Sequence, residues 1–159
     1  MKLLVITFLL FCYSFSLDAK VLLPDTCQDL TEVTENSLIL LNKKEFIELG
    51  ECIGAAQIKT KRVNWIPEAC SEIKEDESSI LGVFSLSKKE ALQIGMCVGV
   101  INAVFTRYDN ERVLSYSSRD RKYQCIRGKQ AIDIMLSSSK VDMNREDVRE
   151  LLCKEVLIW

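Results

Sequence analysis

Two stretches decide how the chain reads: Asn42-Lys-Lys-Glu-Phe-Ile-Glu-Leu-Gly-Glu-Cys-Ile-Gly-Ala55 and Ser87-Lys-Lys-Glu-Ala-Leu-Gln-Ile-Gly-Met-Cys-Val-Gly-Val100, which align at an offset of 45 residues. The Lys-Lys-Glu triplet and the Gly-x-Cys-x-Gly pattern are identical in both, and most other pairs are conservative. Asn42 and Ser87 are residue types that accept hydrogen bonds from the free N–H groups of a first helical turn. Glu45 and Glu90, three residues on, can return a bond to the cap's own N–H. Both stretches therefore read as helix starts. Gly50/Gly54 and Gly95/Gly99 fall one turn apart on one face of each helix. Glycine costs a helix about 1 kcal/mol relative to alanine, so its use here is the close approach of another backbone. A looser third copy begins at Asn144-Arg-Glu-Asp147 and reaches Cys153.

The cysteines follow the same rhythm. Met1 and Lys2 open a segment whose run from Leu3 to Phe15 is almost unbroken in apolar side chains and ends in the stretch 14–19. That is the form of a secretory signal peptide cleaved after Ser16 or Ala19. The run is too short for a bilayer core, and no later stretch stands out as spanning length. Removing 1–19 takes away Cys12 and leaves Cys27, Cys52, Cys70, Cys97, Cys125 and Cys153, an even set in an exported, oxidising context. No C-x-x-C pair is present, which argues against structural zinc or a redox motif. Six cysteines allow 15 connectivities. One cysteine follows each cap by nine or ten residues and another precedes it by 15 to 19, the spacing of a stapled helical hairpin. This favours Cys27–Cys52, Cys70–Cys97 and Cys125–Cys153, with a Cys52–Cys97 bridge between the two glycine-faced helices as the rival.

The 159 residues are 48% hydrophobic and 28% charged, with 6 Gly, 2 Pro and no His. This is a globular composition of one domain's length. Without histidine there is no His-activated nucleophile and no His-containing metal site. A net charge of -2 gives no basic footprint for nucleic acid. Further helical periodicity runs through Leu30, Val33, Leu38 and Leu41; through Leu92, Val98, Ile101 and Phe105; and through Ala131, Ile134, Met135, Val148, Leu151, Leu152 and Val156. No stretch alternates as a strand should. The expected fold is all-α, a disulfide-stapled bundle of helical hairpins: a signal peptide over 1–19, then one helical domain over 20–159 containing the repeat 42–55 and 87–100.

Two segments break this periodicity. Residues 68–77 carry five acidic groups against Lys74 and read as a solvated face. Residues 107–123 form the longest non-periodic stretch and mix Tyr108, Tyr116 and Tyr123 with Arg107, Arg112, Arg119 and Arg121. Tyr and Arg are the side chains that most often anchor interfaces, and a loop of this length between helices usually has a function. As catalytic carboxylates, Glu45, Glu90 and Asp109 are the nominees, but two of them already have capping roles. The expectation is a protein that is not an enzyme and uses no cofactor or metal.

From Leu92 to Cys153 the chain resembles the Rap/Tai family of immunity proteins, which protect bacteria from type VI secretion amidase toxins. The residues that carry the resemblance are Cys97-Val-Gly-Val-Ile-Asn-Ala103, a loop to Tyr123-Gln-Cys125, Gln130-Ala-Ile-Asp-Ile-Met135, and Glu150-Leu-Leu-Cys153. Val100 stands where the family has an aromatic and Ala103 where it has a second glycine. The resemblance implies a small periplasmic helical protein, often a homodimer, that plugs the cleft of a cognate secreted amidase toxin. The net charge and the single apolar run, for their part, lead us to expect no nucleic acid and no membrane partner after signal cleavage. Carried onto this chain, the plug is drawn from 107–121, and residue type nominates Arg107, Tyr108, Asp109, Tyr116, Arg119 and Arg121. The runner-up expectation is an exported helical chaperone or lipid- or ligand-binding module.

Overall fold

A computed structural model describes Cys27 and residues 38–78, 86–113 and 120–158. The expected signal peptide, most of the Leu30–Leu41 periodicity, Tyr116 and Arg119 lie outside the described residues. Among these described residues five helices and three strands follow in order: α1 (Lys43–Thr60), α2 (Ile66–Ser78), α3 (Lys88–Tyr108), β1 (Arg112–Val113), β2 (Arg121–Cys125), α4 (Lys129–Ser137), α5 (Arg145–Leu152) and β3 (Cys153–Leu157).

The capping boxes form as the sequence predicts. Asn42 Oδ1 accepts from the Glu45 N–H at 3.0 Å, and Glu45 accepts from the Asn42 N–H at 2.6 Å. Ser87 and Glu90 repeat the exchange, as do Asn144 and Asp147 at the start of α5. The glycine faces of α1 and α3 meet. A Cβ built at Gly50 or Gly54 would fall onto the carbonyl oxygen of Leu92 or Met96, and one at Gly95 or Gly99 onto that of Ile47 or Glu51. Both series ascend together, so the helices run in the same sense. Leu92 and Met96 are the repeat counterparts of Ile47 and Glu51, which gives the crossing a local two-fold relation. Backbone approaches backbone this closely only where no side chain intervenes.

The disulfides are sequential: Cys27–Cys52, Cys70–Cys97 and Cys125–Cys153. The rival Cys52–Cys97 bridge does not form, because Cys97 turns from the α1 crossing toward Cys70 on α2. Three internal bridges fit an oxidising, exported compartment. The core gathers Ile58, Ile66, Cys70, Val100, Val104, Met135, Met143, Val148 and Leu152, all at or below 1% exposure. An isolated bridge pairs Val63 with Met143 through both backbone bonds and ties the α1–α2 turn to the α4–α5 turn.

Four expectations need correction. The fold is mainly helical but not all-α, because β1, β2 and β3 form an antiparallel sheet in that order. Tyr123 faces Glu155 in the ladder, and Cys125 faces Cys153. Strands this short carry too few alternations to register as a pattern; what defines them is their pairing. Val156 accordingly belongs to β3 and not to a helical stripe. Second, the acidic stretch does not break a helix: 67–77 lies inside α2, whose inward stripe is Ile66, Ala69, Cys70 and Ile73 at i, i+3, i+4 and i+7. Third, 107–123 is not one loop, since α3 runs through Tyr108 and the strands take up both ends of the rest. Fourth, α3 is long and apolar enough to cross a bilayer by length and composition. Here it is the central helix, packed against α1, α2, α5 and β2.

Candidate interaction surface

The hairpin β1–β2 hangs from the C-terminal end of α3, and two residues make its root. Asp109 caps the helix, its N–H donating to the Phe105 carbonyl at 2.8 Å. Its Oδ1 accepts from the Cys125 N–H at 2.9 Å, and its Oδ2 from the Asn110 side-chain amide at 2.8 Å. Asn110 takes a left-handed backbone with φ 63°, a conformation asparagine adopts more readily than other non-glycine residues. Its N–H donates to the Tyr123 carbonyl, while the Tyr123 N–H donates to the Glu111 carbonyl, each at 2.9 Å. Lys122 Nζ donates to Asn110 Oδ1 at 2.8 Å. The Cys125–Cys153 disulfide then pins β2 to β3 at the end of the ladder.

The sheet has two faces. The inner one carries Tyr123, whose ring meets Tyr108 edge to face at 6.1 Å and 77°. Guanidinium groups of Arg107, Arg145 and Arg149 lie 5.2, 5.8 and 5.5 Å from the Tyr108 ring centre, and Arg149 also lies 5.3 Å from that of Tyr123. The Tyr108 hydroxyl donates to Glu146 Oε1 at 3.0 Å. Burial, then the bond to Glu146, pushes the Tyr108 hydroxyl above its ordinary pKa. For Glu146 burial pulls upward, but the Tyr108 hydroxyl and Arg145 outweigh it and hold the carboxyl below its usual value. The opposite, open face carries Lys122, Gln124, Lys154 and Val156. With Phe105, Arg127 and Gln130 they line two adjoining shallow depressions of about 400 and 430 Å³. Arg127 stacks 5.0 Å from the Phe105 ring centre.

Of the residues nominated from the sequence, Arg107 and Arg121 present exposed side chains, bridged to Glu111 at 2.7 Å and to Glu155 at 3.2 Å. Tyr108 is only 6% exposed, so it is a core residue that orients the hairpin and not a surface anchor. Asp109 is spent on the root of the hairpin. Tyr116 and Arg119 fall outside the described residues. The open face was missed. Its only signal was the i, i+2 spacing of Lys122 with Gln124 and of Lys154 with Val156, which means little until both are known to be strands.

No family model, curated protein or solved structure is found to match the chain.

Proposed function

We propose that the protein is an exported immunity protein, acting in the periplasm, that binds a cognate peptidoglycan amidase toxin and occludes it with the β1–β2 hairpin. The observation that carries this reading is the clamped root. Asp109, Asn110, the Tyr108–Tyr123 contact and the Cys125–Cys153 bridge hold both strands that flank residues 114–119. A binding element anchored this way loses less conformational freedom on association, and the saving appears as affinity. Residues 114–119 supply Tyr116 and Arg119, and the flanking positions supply Arg107 and Arg121. The protein itself performs no catalysis in this reading. The amidase partner rests on the resemblance of 92–153 to the immunity family. The lipid- or ligand-binding alternative gains little from the described residues, whose depressions are shallow and lined by Lys122, Gln124 and Arg127.

The test is co-expression with the neighbouring gene, its product directed to the periplasm, scored by lysis. Lysis that this protein suppresses is the expected result; lysis without suppression overturns the cognate pairing. Arg119→Glu and Tyr116→Ala should each weaken toxin binding by roughly tenfold or more while leaving the thermal transition in place. If both protect like the parent, the hairpin is not the plug.

A further inference from the structure

We propose that the outer edge of β3, together with the open face of the sheet, is a docking site for an extended peptide strand carrying acidic side chains. This surface uses none of residues 114–119 and does not depend on the amidase reading. In the β2–β3 ladder the Ile126 N–H donates to the Leu152 carbonyl and the Ile158 N–H to the Asp120 carbonyl. With the observed register, backbone groups of 154 and 156 therefore turn toward β2, and those of 153, 155 and 157 turn away from it. The Cys153 N–H is taken by the Arg149 carbonyl at the end of α5. This leaves the carbonyl of Cys153 and both backbone groups of Glu155 and Leu157 facing outward, and no strand among the described residues pairs with them. Such a row is a template for strand addition.

Charge selects the occupant. Side chains of an added strand would alternate between the two faces, one set beside Lys154 and Val156 on the open face. The residues lining that face carry positive charge on Lys122, Arg127 and Lys154 against the single carboxylate of Asp109. Glu155 projects to the other face, where Arg121 neutralises it at 3.2 Å. A carboxylate on the incoming strand thus meets a net excess of positive charge, and a lysine there meets repulsion. For a second copy of this chain, antiparallel pairing centred on Lys154 or on Glu155 sets like charge opposite like, which leaves the Val156-centred register for the test to exclude.

The test uses the isotope-labelled, fully oxidised protein and two capped peptides of equal length, one alternating Val and Glu, the other Val and Lys. The Val-Glu peptide should slow solvent exchange of the Glu155 and Leu157 amides roughly tenfold or more and leave those of Lys154 and Val156 unchanged. The Val-Lys peptide should protect neither. Glu155→Pro removes one outward N–H and no ladder bond, so it should abolish the protection while the disulfides and the thermal transition persist. Lys154→Glu should weaken the acidic peptide by roughly two- to fivefold and improve the basic one. No protection at millimolar peptide, or equal protection by both peptides, overturns the proposal. Protection that grows with protein concentration in the absence of peptide also overturns it, in favour of self-pairing.

Discussion

Gly50 and Gly99 sit where a single methyl group meets a backbone carbonyl of the opposite helix. Alanine is the better helix former by about 1 kcal/mol, yet overpacking a tight contact costs about 1–3 kcal/mol. Here the obstacle is backbone, which cannot rotate aside as a flexible side chain does. Gly50→Ala and Gly99→Ala should therefore each destabilise the protein by about 2 kcal/mol in urea titrations, with far-UV helicity retained. A gain in stability would mean that the crossing is looser than described. Tyr108 offers a second test at this scale. Tyr108→Phe keeps the ring among Arg107, Arg145 and Arg149 but takes the hydroxyl bond from Glu146, which keeps only its bonds from Arg145, a loss of about 1 kcal/mol. The same variant should remove one late-titrating tyrosine from the absorbance titration, because the Tyr108 hydroxyl lies above the ordinary value.

At the level of elements, three capping boxes start three helices, and two of them predict a pH dependence. The Glu90 carboxyl lies below its ordinary 4.5, chiefly because it accepts the Ser87 N–H, and Asp147 lies below its ordinary 3.8 because it accepts the Asn144 N–H and is bridged by Lys140. A carboxyl whose folded value is depressed binds its proton more readily in the unfolded chain. The stabilisation is therefore complete above the ordinary values and is lost as pH falls from there through the folded values. Glu90→Gln and Asp147→Asn should be less stable than the parent at pH 7, and the difference should shrink as pH falls below the ordinary carboxyl values. Glu51 runs the other way. Burial, then Glu48, raises it, so protonation relieves an unfavourable charge as pH falls. The comparison between variant and parent is for this reason the informative measurement, not the total stability. A difference that does not shrink as pH falls would show that the carboxylate charge is not what the caps use.

Across the whole molecule, two kinds of tie join segments distant in the sequence. Arg62 reaches the Asp142 carbonyl at 2.8 Å and the carboxylates of Asp142 and Asp147 at 3.2 and 3.1 Å, and Lys140 completes the group with Asp147. These groups are partly exposed, so the network is a modest contributor. The disulfides matter more. Cys125 and Cys153 close a separation of 28 residues, and replacing both with Ala should cost about 3–4 kcal/mol in the chain-entropy model. That variant should also speed amide exchange across β2 and β3 while α1 and α3 stay protected. Unchanged exchange in the strands would show that the ladder holds without its bridge.

Local chemistry determined much of this by itself. A cap needs only residues three apart, a glycine face needs only one turn, and an even cysteine set on a hairpin rhythm already favoured the sequential pairing. The acidic run of α2 reads as a solvated face from its charges, but it continues a helix because Ile66, Ala69, Cys70 and Ile73 form an inward stripe beneath it. Only tertiary structure decided the rest. The carbonyls that the glycines admit belong to residues 42 or 48 positions away in the chain. Tyr108 became core and not surface because α5 and β2 close over it. The sheet, its open basic face and its unpaired edge exist only once β2 meets β3, since a five-residue strand has no partner to bond within its own segment.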